Sequence, residues 1–317
     1  MRLGAALTSA LLATLATPST WPLALGTFLL RGGIVLVLLP IVVLPSPVGL
    51  GNLLAPLLMT VVFQGVSVEV AALAITGAIA VVAWIVAGGL ASATLEAEAT
   101  RLVARGDAVE GAVEQPSVAS SAPDERGISW RVVLARIVAH APTGGLAVWG
   151  SARLVGVAYA ELTRPADVSS PIVLRVLLGA PDAVILLTAA WMFGEVVGAL
   201  ATRRIVLAGA TTAGALRAGV GALIKHPLKV IAAFLIPTLG LAFVLATSSV
   251  AAAVSWSAVR VAMRPPGELV LGTLAVVVFV SLWLVGLLLA AVTAGWRGAV
   301  WSMAHDDLWP MARGPEA

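Results

Sequence analysis

A carboxylate inside an apolar run is the group in this chain whose chemistry most needs explaining. Glu195 sits in Trp191-Met192-Phe193-Gly194-Glu195-Val196-Val197-Gly198, the only charge between Asp182 and Arg203. An ionised side chain at the centre of a lipid-spanning helix costs roughly 2.5–3.5 kcal/mol on insertion scales, so such groups face a bundle interior and find a partner. Two cations share its surroundings: Arg31, in Leu29-Leu30-Arg31-Gly32-Gly33, and Arg153, in Gly150-Ser151-Ala152-Arg153-Leu154. A carboxylate beside such a cation can bind a proton or substrate in a coupled step, or it can lock two helices together. Glu195 lies about 10 Å from the cytoplasmic end of its run, with Arg31 about 12 Å and Arg153 about 17 Å from theirs, at 1.5 Å rise per residue. Depth therefore makes Arg31–Glu195 the expected pair. Ala190, Gly194 and Gly198 recur every four residues beside the carboxylate, a stripe that lets helices approach closely. Gly32-Gly33 reads the same way.

A second group of residues is basic. Arg203, Arg204, Arg217, Lys225 and Lys229 fall in a stretch with no acidic residue between Glu195 and Glu268. Anionic lipid headgroups are the expected partner, at about 1 kcal/mol per basic residue near a membrane surface. A nucleic-acid binder needs a denser basic face than this. His140 and His226 precede prolines where helices begin and read as interfacial structural residues. His305-Asp306-Asp307 reads as a solvated tail. The chain has no cysteine, which removes thiolate nucleophiles, disulfides and cysteine-ligated metals. No phosphate loop, HExxH or GxSxG motif is present, nor are paired intramembrane carboxylates. No catalytic residue, metal site or cofactor is indicated.

Composition decides what kind of elements must hold these groups. Of 317 residues, 60% are hydrophobic and 11% charged, with a mean hydropathy of +1.04. Soluble domains carry about 25% charged residues, which excludes a water-soluble enzyme. About 20 apolar residues cross a bilayer core as a helix, and a backbone in lipid must satisfy its own hydrogen bonds. Six stretches qualify: Leu23–Leu44, Val70–Leu90, Thr143–Glu161, Asp182–Ala201, Val230–Val259 and Leu269–Gly295. Pro40 and Pro237 lie inside two of them and should kink them. Tryptophans near the ends (Trp21, Trp256, Trp296, Trp301) read as interfacial anchors.

Basic residues set the orientation. With the N-terminus inside, Arg164, Arg175, Arg260 and Arg264 fall outside, Arg31 and Arg153 lie within spans, and the other basic residues are cytoplasmic. Both termini are then cytoplasmic. Residues 1–22 begin with Arg2 and an apolar stretch but lack a good small-residue cleavage pattern, so an interfacial helix is expected rather than a secretory leader. Arginine-rich, lysine-poor, Ala/Val-rich composition points to a GC-rich bacterial source and an inner-membrane location.

The chain also reads as three similar units, each an interfacial elbow helix, a proline and a hairpin of spans. The elbows are Leu3–Ala16, Trp130–His140 and Ala208–Lys225, followed by Trp21-Pro22, Ala141-Pro142 and His226-Pro227. Proline suits a first helical turn, where its missing N–H has no helical partner to lose. The connections Leu44–Leu58 and Arg164–Pro181 both run from prolines into a short apolar helix. After the second span, Ser92–Val113 keeps helical periodicity and is expected to continue as a cytoplasmic rod, with Leu95, Ala99, Leu102, Val103, Val109 and Val113 on one face and Glu96 largely elsewhere. Glu114–Gly127 reads as a flexible tether, so residues 92–131 form a helical extension plus linker within one polytopic domain, 1–317.

The elbow and His-Pro-Leu segment Ala215–Leu228 (ALRAGVGALIKHPL) resembles a repeated pattern in bacterial multi-pass membrane proteins, among them those similar to the membrane domain attached to some glycerophosphodiester phosphodiesterases. The resemblance covers residues 207–236. It implies an architecture and no activity, because that family's soluble catalytic domain has no counterpart here. The expected protein is thus an all-α integral membrane protein of about six transmembrane helices, arranged as three hairpins with elbow helices. Its elbow and rod also look like those of ATP-driven exporter permeases, although Arg264–Glu268 leaves no room for their outer re-entrant segment. The expected function is a transport-related component, either a small permease or an exporter's membrane subunit. In the subunit case the Ser92–Gly127 region would dock a cytoplasmic ATPase. The alternative is a scaffold or lipid-organising protein in which the Glu195 pair is structural.

Overall fold

A computed structural model of the chain describes residues 3–39, 41, 65, 67–110, 125–164, 170, 172–263 and 269–308. Among them there is no strand. In order come α1 (Leu3–Ala16), α2 (Thr20–Phe28), a π-helical turn (Leu29–Gly33), α3 (Ile34–Leu38), α4 (Val68–Glu110), α5 (Glu125–Thr163), α6 (Ile172–Gly179), α7 (Pro181–Ala208), α8 (Thr212–Lys225), α9 (Pro227–Ala262) and α10 (Leu269–Leu308). Six helical segments are long and apolar enough to cross a membrane: Thr20–Leu38, Val68–Ala104, Gly127–Glu161, Pro181–Ala208, Pro227–Ala262 and Leu269–Met303. The chain is an all-α protein with the helices of a multi-pass membrane protein. Expectations about Pro40, Leu44–Leu58, residues 114–124 of the tether and the Arg264–Glu268 turn lie outside the described residues; the last three tether residues, Glu125–Gly127, are instead the first turn of α5.

The chain divides into two compact units, one of Met1–Leu11, Val103–Leu235 and Ala299–Ala317, the other of Leu12–Leu102 and Ile236–Gly298. In the first, α5 and α7 pack as an antiparallel pair. A Cβ added at Gly198 would meet Arg136 Cδ at 2.9 Å, one at Gly194 would meet His140 Cδ2 at 2.8 Å, and one at Gly150 would lie 3.8 Å from Ala183 Cβ. The pairing continues past Pro142, which lies inside α5. The sequence reading placed a break at Ala141-Pro142; the structure has one helix. An interior proline costs about 3 kcal/mol, and contacts to α7 on both sides of Pro142 offset that cost.

The ends of α7 follow from its sequence. Pro181 occupies the first turn, where no helical N–H is needed, and Asp182 complements the N-terminal dipole. Gly209, in the left-handed region at φ +64, closes the other end with its N–H on the Ile205 carbonyl. The α8 elbow starts at Thr211, whose hydroxyl accepts from the Gly214 N–H at 3.3 Å, and stops at His226 before Pro227. It lies on α7 through Gly219, where a Cβ would meet the Val197 carbonyl at 3.2 Å.

In the second unit, α9 and α10 form another antiparallel pair. Gly240 faces Trp296, Gly286 faces Ser248, and Trp256 packs on Phe279 with ring centroids 5.1 Å apart. Trp256 therefore belongs to a packed cluster with Ala252, Val259 and Phe279, and Trp301 is buried. Pro237 lies inside α9, which continues unbroken to Ala262. The connection from α1 to α2 is tied by the Trp21 indole N–H, which donates to the Thr14 carbonyl at 2.8 Å.

A continuous α4 runs through the junction from the second span into the expected rod, and its buried face differs from the one read in the sequence. Ser92, Ala93, Glu96, Ala97, Thr100 and Val103 are buried, whereas Leu73, Ile75, Ile79 and Val82 are exposed. In lipid no hydrophobic force draws large apolar side chains inward, so small and polar residues take the packed face instead.

Candidate functional site

Glu195 is held by residues from the segment of α5 read as an elbow. Its Oε2 lies 3.7 Å from Arg136 Nη1 and its Oε1 lies 3.4 Å from His140 Nε2. The Glu195 side chain is 12% exposed and that of Arg136 13%. Arg136 Nη1 also approaches the Glu195 backbone carbonyl at 3.5 Å. His140 Nδ1 is 2.9 Å from the Arg136 carbonyl, one turn back along its own helix. Arg136 and His140 are spaced i, i+4 on α5, and Gly194 and Gly198 are spaced i, i+4 on α7. The glycines leave room for the two cationic-type side chains, and Glu195 sits beside that contact.

Within the first unit Glu195 meets Arg136 and His140, and within the second Arg31 pairs with Glu96 of α4. Depth along the guessed spans did not bring in Arg136 and His140, because the sequence reading had put them on an elbow helix apart from the span. The missed signal was in the spacing: two basic-type residues four apart, in the helix paired with a Gly-Glu-x-x-Gly stripe.

Arg31 and Glu96 form an ion pair within the second unit. The helix is broken there, with Arg31 at φ −85, ψ 16 and Gly32 at φ +101, ψ −4. Gly32 supplies a backbone conformation that an L-residue resists. A Cβ on Gly33 would lie 2.5 Å from the Phe28 ring. π-Turns of this kind recur at functional positions. The Glu96 side chain is only 8% exposed, although the sequence reading had turned it away from the packed face.

Arg153 lies on an open flank of the α5–α7 pair, 3.3 Å from Asp182, with both side chains about half exposed. Arg175 pairs with Glu161 at 2.9 Å, joining α6 to α5. The five basic headgroup candidates separate in the structure. Arg203 is buried and Arg204 half-buried, whereas Arg217, Lys225 and Lys229 are exposed. Exposed Ile224 and Leu228 lie between and beside the lysines, which gives this edge both apolar and cationic character. Among the described residues no group of acidic and histidine side chains could hold a metal ion.

Compared with protein-family models, curated proteins and solved structures, the chain matches none.

Proposed function

We propose that this is a transport-related component of the bacterial inner membrane, with both termini cytoplasmic and Glu195 as its coupling group. One observation carries the reading: a nearly buried carboxylate on a helix of spanning length, met by Arg136 and His140 from a second such helix. Intramembrane ionisable residues mark ion, proton and substrate pathways more often than they serve as ballast. The exposed Arg217, Lys225 and Lys229 beside Ile224 and Leu228 support anionic lipid as a partner of the α8 edge.

The alternative is a scaffold in which the same cluster fixes two helices. It draws support from Gly194 and Gly198, whose close contacts with α5 give the pair rigid packing. The two readings part on Glu195→Gln, produced at wild-type level in a strain lacking the protein. Coupling predicts that loss of the protein changes the inside-to-outside distribution of at least one small molecule. The wild type restores that distribution and Glu195→Gln, still folded, does not. Full restoration by Glu195→Gln, or no change on deletion, contradicts it. A soluble ATPase co-purifying in stoichiometric amount would make the protein an exporter subunit.

A further inference from the structure

We propose that the corner between α8 and α9 binds one anionic phospholipid of the cytoplasmic leaflet. Its headgroup phosphate lies on Lys225 and Lys229, and an acyl chain runs along Leu228, Ile231 and Leu235. The leaflet rests on the orientation proposed above; the class of ligand rests on the corner itself.

Six consecutive residues are exposed at this corner, Ile224-Lys225-His226-Pro227-Leu228-Lys229. They fall where α8 stops and a helix of spanning length begins at Pro227, so both lysines stand at one end of a span. Burial of Ala215, Gly219 and Ala222 fixes the inward face of α8. Arg217 and Ile224, seven residues apart and both exposed, lie on the side away from α7. Along α9, Leu228, Ile231 and Leu235 recur at i, i+3 and i+7 and are also exposed, which puts them on one face. Cations at the head of an apolar stripe match the two parts of a phospholipid, a charged group at the surface and a chain beneath it.

The cations are available. No acidic residue lies between Glu195 and Glu268, and among the described residues no carboxylate pairs with Arg217, Lys225 or Lys229. A lysine ammonium binds phosphate as a point charge. An acidic soluble protein could meet the lysines, but it could not follow α9 into the hydrocarbon along Ile231 and Leu235; a phospholipid does both. The two helices of the corner also grip the helix that carries Glu195. A Cβ on Gly219 of α8 would lie 3.2 Å from the Val197 carbonyl, and Phe234 of α9 meets Trp191 edge-on with ring centroids 5.8 Å apart. These contacts bracket Glu195 on α7. A lipid seated at the corner therefore steadies α7 around Glu195, and as a ligand of the folded state it raises Tm.

The test takes the full-length protein, stripped of lipid in a neutral detergent, with phosphatidylglycerol and phosphatidylcholine of identical chains as probes. Native mass spectrometry should show one phosphatidylglycerol retained under conditions that remove phosphatidylcholine, and phosphatidylglycerol should raise Tm further. Lys225→Gln with Lys229→Gln should weaken that binding about thirtyfold, the share of two basic residues near an anionic surface. Lys225→Arg with Lys229→Arg should keep it. Both positions are exposed, so these variants leave the packed faces untouched. Arg260→Gln, in the last turn of α9, should leave binding unchanged. Equal retention of the two lipids overturns the proposal, and so does a loss from Arg260→Gln as large as that from the lysine pair. Displacement of the lipid by inorganic phosphate would make the corner a site for free phosphate and overturns it too. No preference for phosphatidylglycerol, in a protein whose transport still requires Glu195, refutes the lipid site alone. A retained lipid in a protein fully replaced by Glu195→Gln refutes the coupling reading alone.

Discussion

Gly194 is the residue on which the Glu195 cluster most depends for its geometry. Its Cα lies against both the His140 ring and the Ala139 carbonyl, which an added Cβ would approach to 2.8 and 3.0 Å. The carbonyl is helix backbone and cannot give way as a side-chain end can. Gly194→Ala should therefore destabilise the protein by about 1–3 kcal/mol, the usual cost of overpacking, read as a lower Tm in detergent. Gly144→Ala is the control, because a Cβ there meets nothing within 4 Å. It should leave Tm unchanged or raise it slightly, since alanine is the better helix former by about 0.8–1 kcal/mol. Equal losses at the two positions would mean that α7 does not approach α5 at Gly194.

The helices themselves were largely legible in the sequence, because a run of apolar residues long enough to cross lipid has few alternatives to a helix. Their inward faces were harder to read. On α4 Ser92, Ala93, Glu96, Ala97 and Thr100 are buried, while Leu95, Ala99 and Leu102 of the expected face are only half-buried. On α8 the buried residues are Ala215, Gly219 and Ala222. A rule that turns apolar faces inward, sound in water, picks the wrong side here and hid Glu96 as the partner of Arg31. The site was half legible. Glu195 and its glycine stripe stood out, but Pro142 was taken as the start of a helix, which put Arg136 and His140 on a separate elbow. Since Pro142 lies inside α5, Pro142→Ala should restore the backbone hydrogen bond to the Val138 carbonyl and raise Tm. A lower Tm would show that the chain needs a break there.

At the scale of the whole chain, the proposed orientation in the membrane rests on the basic-residue distribution. With no native cysteine, single introduced cysteines report it directly. Ala210→Cys, between α7 and α8, should react only with reagent admitted to the cytoplasmic side. Met263→Cys, at the end of α9, should react from outside; the reverse pattern would invert the orientation and place access to Glu195 on the other face. Coupling and access both presuppose that α5 and α7 pair on both sides of Pro142. The most direct test is Gly150→Cys with Ala183→Cys. The Cβ separation there, 3.8 Å, matches that of a disulfide, about 3.5–4.5 Å. The pairing predicts rapid cross-linking under mild oxidation, with Gly156→Cys paired to Ala183→Cys remaining open, since a Cβ at Gly156 meets nothing within 4 Å. Cross-linking of the shifted pair instead, or of neither, would contradict it and remove Arg136 and His140 from Glu195.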